Sequence, residues 1–456
     1  AVHTLMGGDP DLAQARWTAH PEQEAVLIGT QDMLLSRALM RGYGMSRYQW
    51  PVHYALLHND ALWIFDEVQL MGLALPTTTQ LEAFRRDFGG CLPARSIWMS
   101  ATLQEAWLDT VDFRPYRSAG LRRLALGDAD EMQPSVQQRV HAPKRLQRAI
   151  TRCSDATAAG RKAYINALAQ EILAAHVLGE QTLVIVNRVE RAQALYDALA
   201  ETDAERLLLH ARFRPIDRAA KEEQLQSPSP AAGRIVIATQ AVEAGVDLDS
   251  RVLFTELAPW ASLVQRFGRC NRAGRFDEAD VFWIDLAEDE KDLALPYTAE
   301  PLAAARNHLE ATESAAPADL PPVTEAPPAG QVLRRRDLLE LFNTDPDLSG
   351  FDVDVSPYIR DTGTPQIQVF WRAVDRETAA TQTAPARSEL CPASISEVKA
   401  HLQGKLSNKV RKATGREYPD AWRFDTLGGE RREGQWGPVN AAGIRPGQTI
   451  MLAAAQ

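Results

Sequence analysis

Two adjacent carboxylates, Asp66 and Glu67, directly follow the apolar run LWIF (62–65), and Gln69 stands two residues further on. Ligands of open α/β sheets bind beyond the carboxyl ends of the strands. An aspartate at such a strand end can hold Mg²⁺, usually through water, and the neighbouring glutamate can deprotonate a water that attacks a γ-phosphate. Acidic side chains are also favoured at helix N-termini, so a helix cap explains the isolated pair at least as well.

Two small hydroxyl residues, Ser100 and Thr102, end the next apolar run, SIWM (96–99). At a neighbouring strand end, such hydroxyls can hydrogen-bond the first carboxylates and the connection to a second lobe. A simple turn is the alternative, but the order of the two motifs favours a common site.

The most specific pattern is IVIATQAVEAGVDLD (235–249), which predicts a strand followed by a loop that carries Thr239, Glu243, Gly245 and Asp247. The stretch WASLVQRFGRCNRAGR (260–275) then supplies Gln265, Arg269 and Arg272. The spacing of three predicts that the two arginines share one face of a helix. Two guanidiniums there can bind a γ-phosphate held by another lobe, in the manner of an arginine finger. An arginine-rich solvent face would not account for the glutamine or for the preceding loop.

Short apolar runs alternate with amphipathic stretches up to about residue 290. Near-continuous apolar runs are typical of strands that are covered on both faces, and their alternation with helices indicates a parallel α/β sheet. The predicted strands are AVLIG (25–29), LWIFD (62–66), SIWMSA (96–101), TLVIVN (182–187), RLLLH (206–210), RIVIAT (234–239), RVLFTEL (251–257) and VFWID (281–285). The predicted helices include residues 31–40, 77–88, 161–177 and 190–200.

The 456 residues are too many for one ordinary core, and the predicted strands fall into two groups. The proline- and alanine-rich stretch ESAAPADLPPVTEAPPAG (313–330) predicts an extended or disordered linker, and the tail after it predicts a small mixed domain. We therefore expect a first lobe over residues 1–115, a connector over 116–178, a second lobe over 179–292, a linker over 293–332 and an accessory domain over 333–456.

The net charge of −10, taken alone, argues against nucleic acid as a partner. Whole-chain charge is a poor guide to a local groove, however, and arginines cluster within residues 206–218 and 265–275. No apolar run is long enough for a membrane span, so we expect no membrane partner. The four cysteines form no CxxC pair, which fits a reducing cytoplasm and argues against a zinc site or a disulfide framework.

The motifs DEVQ, SAT, ATQAVEAGVDLD and QRFGRCNR together resemble those of superfamily-two helicases, which have two RecA-like lobes. More narrowly, the chain resembles the CRISPR-associated helicase-nuclease family of type I interference systems. The stretches that carry this resemblance are VHTLMGG (2–8), GTQDMLLSRALMRGYG (29–44), DEVQLMG (66–72), LLHARFRPIDR (208–218) and the QRFGRCNR stretch. The tail, including residues 337–361, is similar to the subtype in which the nuclease domain follows the helicase.

The resemblance implies an ATP-driven motor that moves 3′-to-5′ on single-stranded DNA and is recruited by a guide-RNA surveillance complex of the Cascade type. It implies that Asp66 helps to hold Mg²⁺, that Glu67 is the general base for ATP hydrolysis, and that Gln69 lies at the γ-phosphate or couples to the second lobe. It further implies nucleotide-site roles for Gly245, Asp247, Gln265, Arg269 and Arg272, and coupling roles for Ser100 and Thr102. The implied single-strand contacts are Gly7, Gly8, Thr30, His210, Arg212, Arg218 and Thr239.

The family pattern is incomplete in this sequence. The phosphate-binding loop GxxxxGK[ST] is missing, and QGKLSN (403–408) does not replace it. None of the nine histidines is followed by aspartate, so the His-Asp pair of the expected nuclease is missing as well. We expect the phosphate loop upstream of Ala1, which would make the first lobe N-terminally incomplete and the chain inactive alone.

Two other functions fit the sequence. One is a different superfamily-two helicase that acts on DNA or RNA, and the other is a non-catalytic nucleic-acid-binding module. The presence of Glu67, Arg269 and Arg272 argues against the second, because a dead site has no evident need for them. An incomplete first lobe would expose strand edges and apolar surface, so we also expect marginal stability in its first ~110 residues.

Overall fold

A computed structural model describes residues 1–5, 17–43, 45–100, 103–243, 246–287, 291–323, 330–343, 353–360, 366–405, 411–412, 415–425, 435–445 and 448–454. The chain divides into two compact units. The first contains residues 1–124 and 324–365, and the second contains residues 125–323 and 366–456. Each unit is described by itself below.

The strands of the described residues are numbered β1 to β15 in chain order. They are Val2–Leu5, Val26–Gly29, Leu62–Phe65, Arg95–Trp98, Arg145–Arg148, Gln181–Ile185, Glu205–Leu209, Arg234–Ala238, Val252–Glu256, Asp280–Ile284, Gln366–Arg372, Cys391–Ser394, Ala421–Asp425, Gln435–Pro438 and Thr449–Ala453. All eight strands predicted from apolar runs are present, as β2 to β4 and β6 to β10.

The α helices of the same residues are numbered α1 to α14. They are Gln31–Ala38, Trp50–His58, Ala74–Phe88, Arg114–Ser118, Asp128–Glu131, Pro134–Val140, Ala158–Ala175, Val189–Ala198, Pro215–Gln226, Trp260–Phe267, Lys291–Ala294, Ala299–Glu310, Arg335–Leu341 and Ile395–Gln403. The four helices predicted from periodicity correspond to α1, α3, α7 and α8. Among the described residues, no helix is long and apolar enough to cross a membrane.

The first unit contains two parallel strand pairs, β1 with β2 and β3 with β4. In β3, Trp63 and Phe65 are buried, whereas Leu62 and Ile64 are 60% and 59% exposed. The alternation shows that one face of this pair packs on a core while the other face is open. The expectation that these apolar runs are covered on both faces is therefore wrong for β3.

A late segment of the chain completes the core of the first unit. The buried side chains of Leu333, Leu338, Leu341 and Ile359 belong to the same apolar cluster as Phe65. Hydrogen bonds tie this segment to α1 and α3, among them Gln31 Nε2 to the carbonyl of Ile359 (3.2 Å) and Gln80 Nε2 to the carbonyl of Leu333 (2.7 Å). We expected residues 333–456 to form one accessory domain, but Leu333 and Ile359 contribute to the core of the first unit. The other predicted domain boundaries stay predictions.

The second unit is built on a six-stranded parallel sheet with the strand order β5-β10-β9-β6-β8-β7. Every residue of β6, β8 and β9 is buried, so these central strands are covered on both faces. This sheet confirms the predicted parallel α/β fold. The edge strand β5 (RLQR) was not predicted, because its polar residues give no apolar run.

The stretch predicted to be a linker begins as part of the second unit. Helix α12 buries Leu302, Ala305 and Leu309 in the core of this unit. The following residues lie antiparallel beside β5, where Leu146 N donates to the carbonyl of Glu313 (2.8 Å) and Ala315 N donates to the carbonyl of Lys144 (2.9 Å). The apolar face of α12 explains why this part of the stretch is not free, and residues 324–329 lie outside the described ranges.

A second, mixed sheet in the same unit has the strand order β12-β11-β15-β13-β14. Strands β11 and β15 run parallel, and the other neighbours are antiparallel. Helix α14 packs on this sheet through Val398 and Leu402. The mixed character predicted for the tail is confirmed by this sheet.

Candidate functional site

The carboxyl end of β3 carries the first two predicted site residues. Asp66 and Glu67 follow Phe65 directly, and Asp66 Oδ1 accepts a hydrogen bond of 3.0 Å from the backbone N–H of Glu67. The backbone of Glu67 has φ 50° and ψ 48°, in the left-handed region. A non-glycine residue there costs roughly 1–2 kcal/mol, and such strain is concentrated at functional positions.

A line of hydrogen bonds joins the ends of β3 and β4. Ser100 Oγ donates to Gln69 Oε1 at 2.6 Å, and Gln69 Nε2 donates to Glu67 Oε2. Two backbone bonds extend the strand pairing into this turn, from Met99 N to the carbonyl of Phe65 (2.8 Å) and from Val68 N to the carbonyl of Met99 (3.1 Å). The structure therefore brings Glu67, Gln69 and Ser100 together. Thr102 lies outside the described residues.

The acidic end of β3 does not form a metal cluster by itself. No group of three or more histidine, cysteine, aspartate or glutamate side chains within the described ranges could hold a metal ion. Mg²⁺ commonly binds through one or two carboxylates together with substrate phosphates and water. Asp66 is exposed and fits such a shared site.

The two arginines predicted to bind phosphate, Arg269 and Arg272, lie in different environments. Arg269 is 8% exposed, and its guanidinium donates to the carbonyls of Val242 (3.2 Å) and Glu243 (2.7 Å). Arg272 is exposed and forms an ion pair of 2.8 Å with Asp247. The two arginines therefore hold the two ends of the loop after β8. Gly245, in the middle of that loop, lies outside the described residues.

The expectation that Arg269 and Arg272 share a helix face is wrong. Helix α10 carries Gln265, which is half-buried, but the helix ends at Phe267 with Gly268 as its C-cap. The chain then turns through Asn271, whose φ of 42° is left-handed and incompatible with a continuing helix. The two guanidiniums are thus presented by a turn.

A buried ionic network behind this loop was not predicted. Arg266 is fully buried, and its Nε donates to Glu243 Oε1 at 2.8 Å. Its other nitrogens donate to Thr255 Oγ1 (3.0 Å) and to Asn187 Oδ1 (3.1 Å). Neighbouring Glu256, also fully buried, accepts from Arg191 Nη1 at 2.8 Å. The sequence signal was the first arginine of QRFGR, which has the same residue type as the phosphate-binding candidates and cannot be separated from them by spacing.

Three of the predicted nucleic-acid contacts lie at the carboxyl ends of the adjacent strands β7 and β8. Thr239 N donates to the carbonyl of Leu209 at 3.1 Å, which places Thr239 beside His210 at the strand ends. Arg212 follows in the loop, and it forms ion pairs with Glu190 (3.4 Å) and Glu397 (2.5 Å).

The remaining predicted contacts are dispersed. Arg218 lies on α9 and is paired with Glu222 at 2.7 Å. Thr30 is the exposed N-cap of α1 in the first unit. Gly7 and Gly8 lie outside the described residues.

His210 is a neutral, packed side chain. Its ring stacks on Phe213, with centroids 4.2 Å apart and planes inclined by 5°. Burial, assisted by the positive charge of Arg212, lowers the pKa of His210 to about 4. The histidine therefore shapes the loop that presents Arg212 and brings no charge of its own at neutral pH.

A cavity of about 300 Å³ in the first unit lies away from these residues. It is lined in part by Arg85, Arg95 and Gly90, and Arg95 begins β4. The cavity is therefore at the amino end of β4, opposite to the strand end that carries Ser100.

Comparison with known proteins connects the second unit to a family. Residues 178–275 match the family profile described as CRISPR-associated nuclease/helicase Cas3, C-terminal. Over 125 residues the chain is 36% identical to the CRISPR-associated helicase Cas3 of Thermoproteus tenax, covering 26% of this chain and 20% of that protein. Over 126 residues it is 36% identical to the CRISPR-associated endonuclease/helicase Cas3 of Escherichia coli, covering 26% of this chain and 14% of that protein. The matched segments therefore span a fifth or less of these relatives.

The fold as a whole is similar to solved structures. The crystal structure of T. fusca Cas3 with AMPPNP matches with a TM-score of 0.58 at 15% identity, over 89% of this chain and 54% of that one. A crystal structure named only as a CRISPR-associated protein matches with a TM-score of 0.55 at 17% identity, over 85% of this chain and 50% of that one.

The parallel sheet and the mixed C-terminal sheet, with the strand-end motifs described above, form a fold similar to that of the T. fusca Cas3 structure. Within that fold, residues 178–275 are similar in sequence to the C-terminal region of the CRISPR-associated nuclease/helicase Cas3 family.

Proposed function

We propose that this chain is the motor core of an ATP-driven translocase or helicase that moves 3′-to-5′ on single-stranded DNA in type I CRISPR interference. The observation that carries the proposal is the hydrogen-bonded line from Ser100 through Gln69 to Glu67 at the carboxyl ends of two parallel strands. The likeness to structures of T. fusca Cas3 with ATP and with AMPPNP supports ATP as the substrate.

In this proposal the residues at the end of β3 act on the γ-phosphate. Asp66 holds the Mg²⁺ that accompanies ATP, and the ion neutralises charge on the phosphates. Glu67 accepts the proton of the attacking water. Because Gln69 occupies Oε2 of Glu67, the other carboxylate oxygen is left for that water. Ser100 fixes Gln69 and links the site to β4.

The residues of the second unit have separate tasks. Arg272 is the accessible guanidinium, and its exposed pair with Asp247 is weak enough to be exchanged for a phosphate. Arg269 positions the loop after β8 through two carbonyls. Gln265, on the helix before them, contacts the nucleotide, and Gly245 and Asp247 form the loop beside it.

Single-stranded DNA is the proposed track. Hydroxyl groups, backbone amides and arginines suit phosphate contacts, which carry no sequence information and so allow movement along any sequence. His210, Arg212 and Thr239 form such a group at the ends of β7 and β8, and Arg218 and Thr30 are further proposed contacts, each on its own unit. Gly7, Gly8 and Thr102 complete the proposed contact and coupling set. A guide-RNA surveillance complex of the Cascade type is the proposed recruiter.

The decisive experiment measures ATP hydrolysis with and without single-stranded DNA, in the protein expressed from its complete natural reading frame. We expect DNA-stimulated hydrolysis that falls by roughly 10²–10⁴-fold in Glu67→Gln, because that variant loses the general base, with DNA binding kept. Binding of DNA with no hydrolysis in the unsubstituted protein would support a binding module instead. Hydrolysis that is unaffected by Glu67→Gln would overturn the assignment of the site.

A further inference from the structure

The mixed C-terminal sheet holds the loop that follows β7 within the second unit. Cys391 Sγ donates to the backbone carbonyl of Arg212 at 2.8 Å. The guanidinium of Arg214 lies over the ring of Trp371, 5.4 Å from its centroid. Glu397 Oε1 lies 2.5 Å from Arg212 Nη2. Residues of β11, β12 and α14 therefore all contact the same short loop.

The carboxylate of Glu397 is held in place by hydrogen bonds that do not involve Arg212. Its Oε2 accepts hydrogen bonds from Ser394 Oγ (2.8 Å) and from the backbone N–H of Ser394 (3.2 Å), in the capping box that begins α14. Its other oxygen is left for Arg212. A carboxylate that is already held loses little freedom when it pairs, so this ion pair is more favourable than one between two mobile side chains.

The charges around Arg212 do not favour a nucleic-acid phosphate while Glu397 is in place. Glu190 lies 3.4 Å from the same guanidinium. Burial alone would raise the pKa of Glu190, but its backbone hydrogen bond and the charges of Arg212 and Arg188 outweigh it and lower that pKa. Glu190 is therefore ionised at neutral pH. Glu190 also pairs with Arg188 at 3.5 Å, so two carboxylates balance two guanidiniums and the group offers a phosphate no net positive charge.

A guanidinium nitrogen pairs with a carboxylate oxygen, as Arg212 Nη2 does with Glu397 Oε1, in the same way as with a phosphate oxygen. We propose that Glu397 occupies the phosphate position on Arg212, so that the C-terminal sheet masks this contact and single-stranded DNA must displace the carboxylate to bind. Both side chains of the pair are 37% exposed, so the pair is open to competition from solvent. The proposal rests on the proposed function, because it takes Arg212 as a phosphate contact.

The capping role and the masking role of Glu397 can be separated by substitution. Glu397→Gln removes the charge while keeping a residue type that completes a capping box. Ser394→Ala removes the cap while keeping the carboxylate that faces Arg212. Glu377→Gln removes one exposed negative charge of the same sheet domain and serves as the charge-matched control.

The test is the affinity of the full chain for a fluorescent oligothymidylate, measured by anisotropy across a range of NaCl concentrations. We expect Glu397→Gln to bind roughly two- to tenfold more tightly, with Glu377→Gln unchanged and Ser394→Ala tightened less than Glu397→Gln. Arg212→Ala should bind more weakly, with the slope of log affinity against log salt reduced by about one. Glu397→Gln should give no gain when Arg212→Ala is already present.

The outcomes distinguish the masking role of Glu397 from the DNA contact of Arg212. If Arg212→Ala weakens binding but Glu397→Gln does not tighten it, Arg212 remains a phosphate contact and the mask is wrong. Equal tightening in Glu397→Gln and Glu377→Gln would reduce the effect to net charge and also exclude the mask. If Arg212→Ala leaves affinity and salt slope unchanged, the loop is not a DNA contact, and that part of the proposed function fails first.

Discussion

Arg266 and Glu243 form an ion pair of 2.8 Å in which both side chains are buried. The pair joins α10 to the loop after β8, so the position of Arg269 and of the loop depends on it. A buried pair can cost as much to desolvate as it returns, but the loss of one partner leaves an uncompensated charge in the core.

We therefore predict that Glu243→Ala lowers the free energy of unfolding by roughly 3–5 kcal/mol. Asp247→Ala, which breaks the exposed pair with Arg272, should lower it by less than about 1 kcal/mol. Urea unfolding of the full chain, followed by tryptophan fluorescence, measures both. Equal losses in the two variants would mean that Arg266 finds other partners when Glu243 is removed.

Ser100 and Gln69 should act as one unit. Ser100→Ala frees Gln69, and Gln69→Ala frees the carboxylate of Glu67, so either change loosens the proposed general base. We expect each variant of the complete natural protein to lose roughly ten- to hundredfold in ATP hydrolysis, with nucleotide affinity nearly unchanged. The double variant should be little worse than the poorer single one. Losses that multiply would show that the two residues act separately.

His58 should make the first unit sensitive to mild acid. Burial, followed by the charge of Arg85, lowers the pKa of His58 to about 3 from an ordinary 6.5. The unfolded chain takes up a proton below about pH 6.5 while the native chain does not, so stability is present above pH 6.5 and is lost as the pH falls toward 3. For this fully buried group the loss between pH 6.5 and 5 is about 2 kcal/mol.

The matching measurement is the urea midpoint at about pH 7 and about pH 5 in the unsubstituted chain and in His58→Gln. Glutamine can still donate to the carbonyl of Ala38, which accepts from His58 Nε2 at 3.0 Å if that nitrogen carries the proton. The variant should lose less stability on acidification. An identical pH dependence in both proteins would remove His58 as the cause.

Protease should cut residues 1–110 faster than residues 180–290. Strands β1 to β3 expose Val2, Ile28, Leu62 and Ile64, each at 50% or more, whereas β6, β8 and β9 are wholly buried. Local opening is easier where fewer apolar contacts must be broken. Brief digestion with mass spectrometry of the fragments tests this, and equal resistance of the two regions would contradict it.

The strands that consist of long apolar runs could be predicted from the sequence. The strands of the six-stranded sheet were found because central parallel strands contain little else, and the Asp66-Glu67 pair was placed correctly at the end of β3. The sequence did not predict β5, because an edge strand needs no apolar run. It also placed Arg269 and Arg272 on a helix, because spacing cannot reveal a left-handed residue such as Asn271. The position of Glu397 beside Arg212 depends on a contact between distant segments, which periodicity cannot report.

The residues that follow α12 have a consequence for solubility. An open sheet edge is a template onto which another chain can add, and residues 313–315 occupy that template along β5. The stretch continues into Pro317, Pro321 and Pro322, which lack the N–H groups needed to extend a ladder. The proline-rich stretch that predicted a linker therefore prevents further strands from adding to the sheet beside β5. A chain cut before Glu313 would expose an edge prone to self-association.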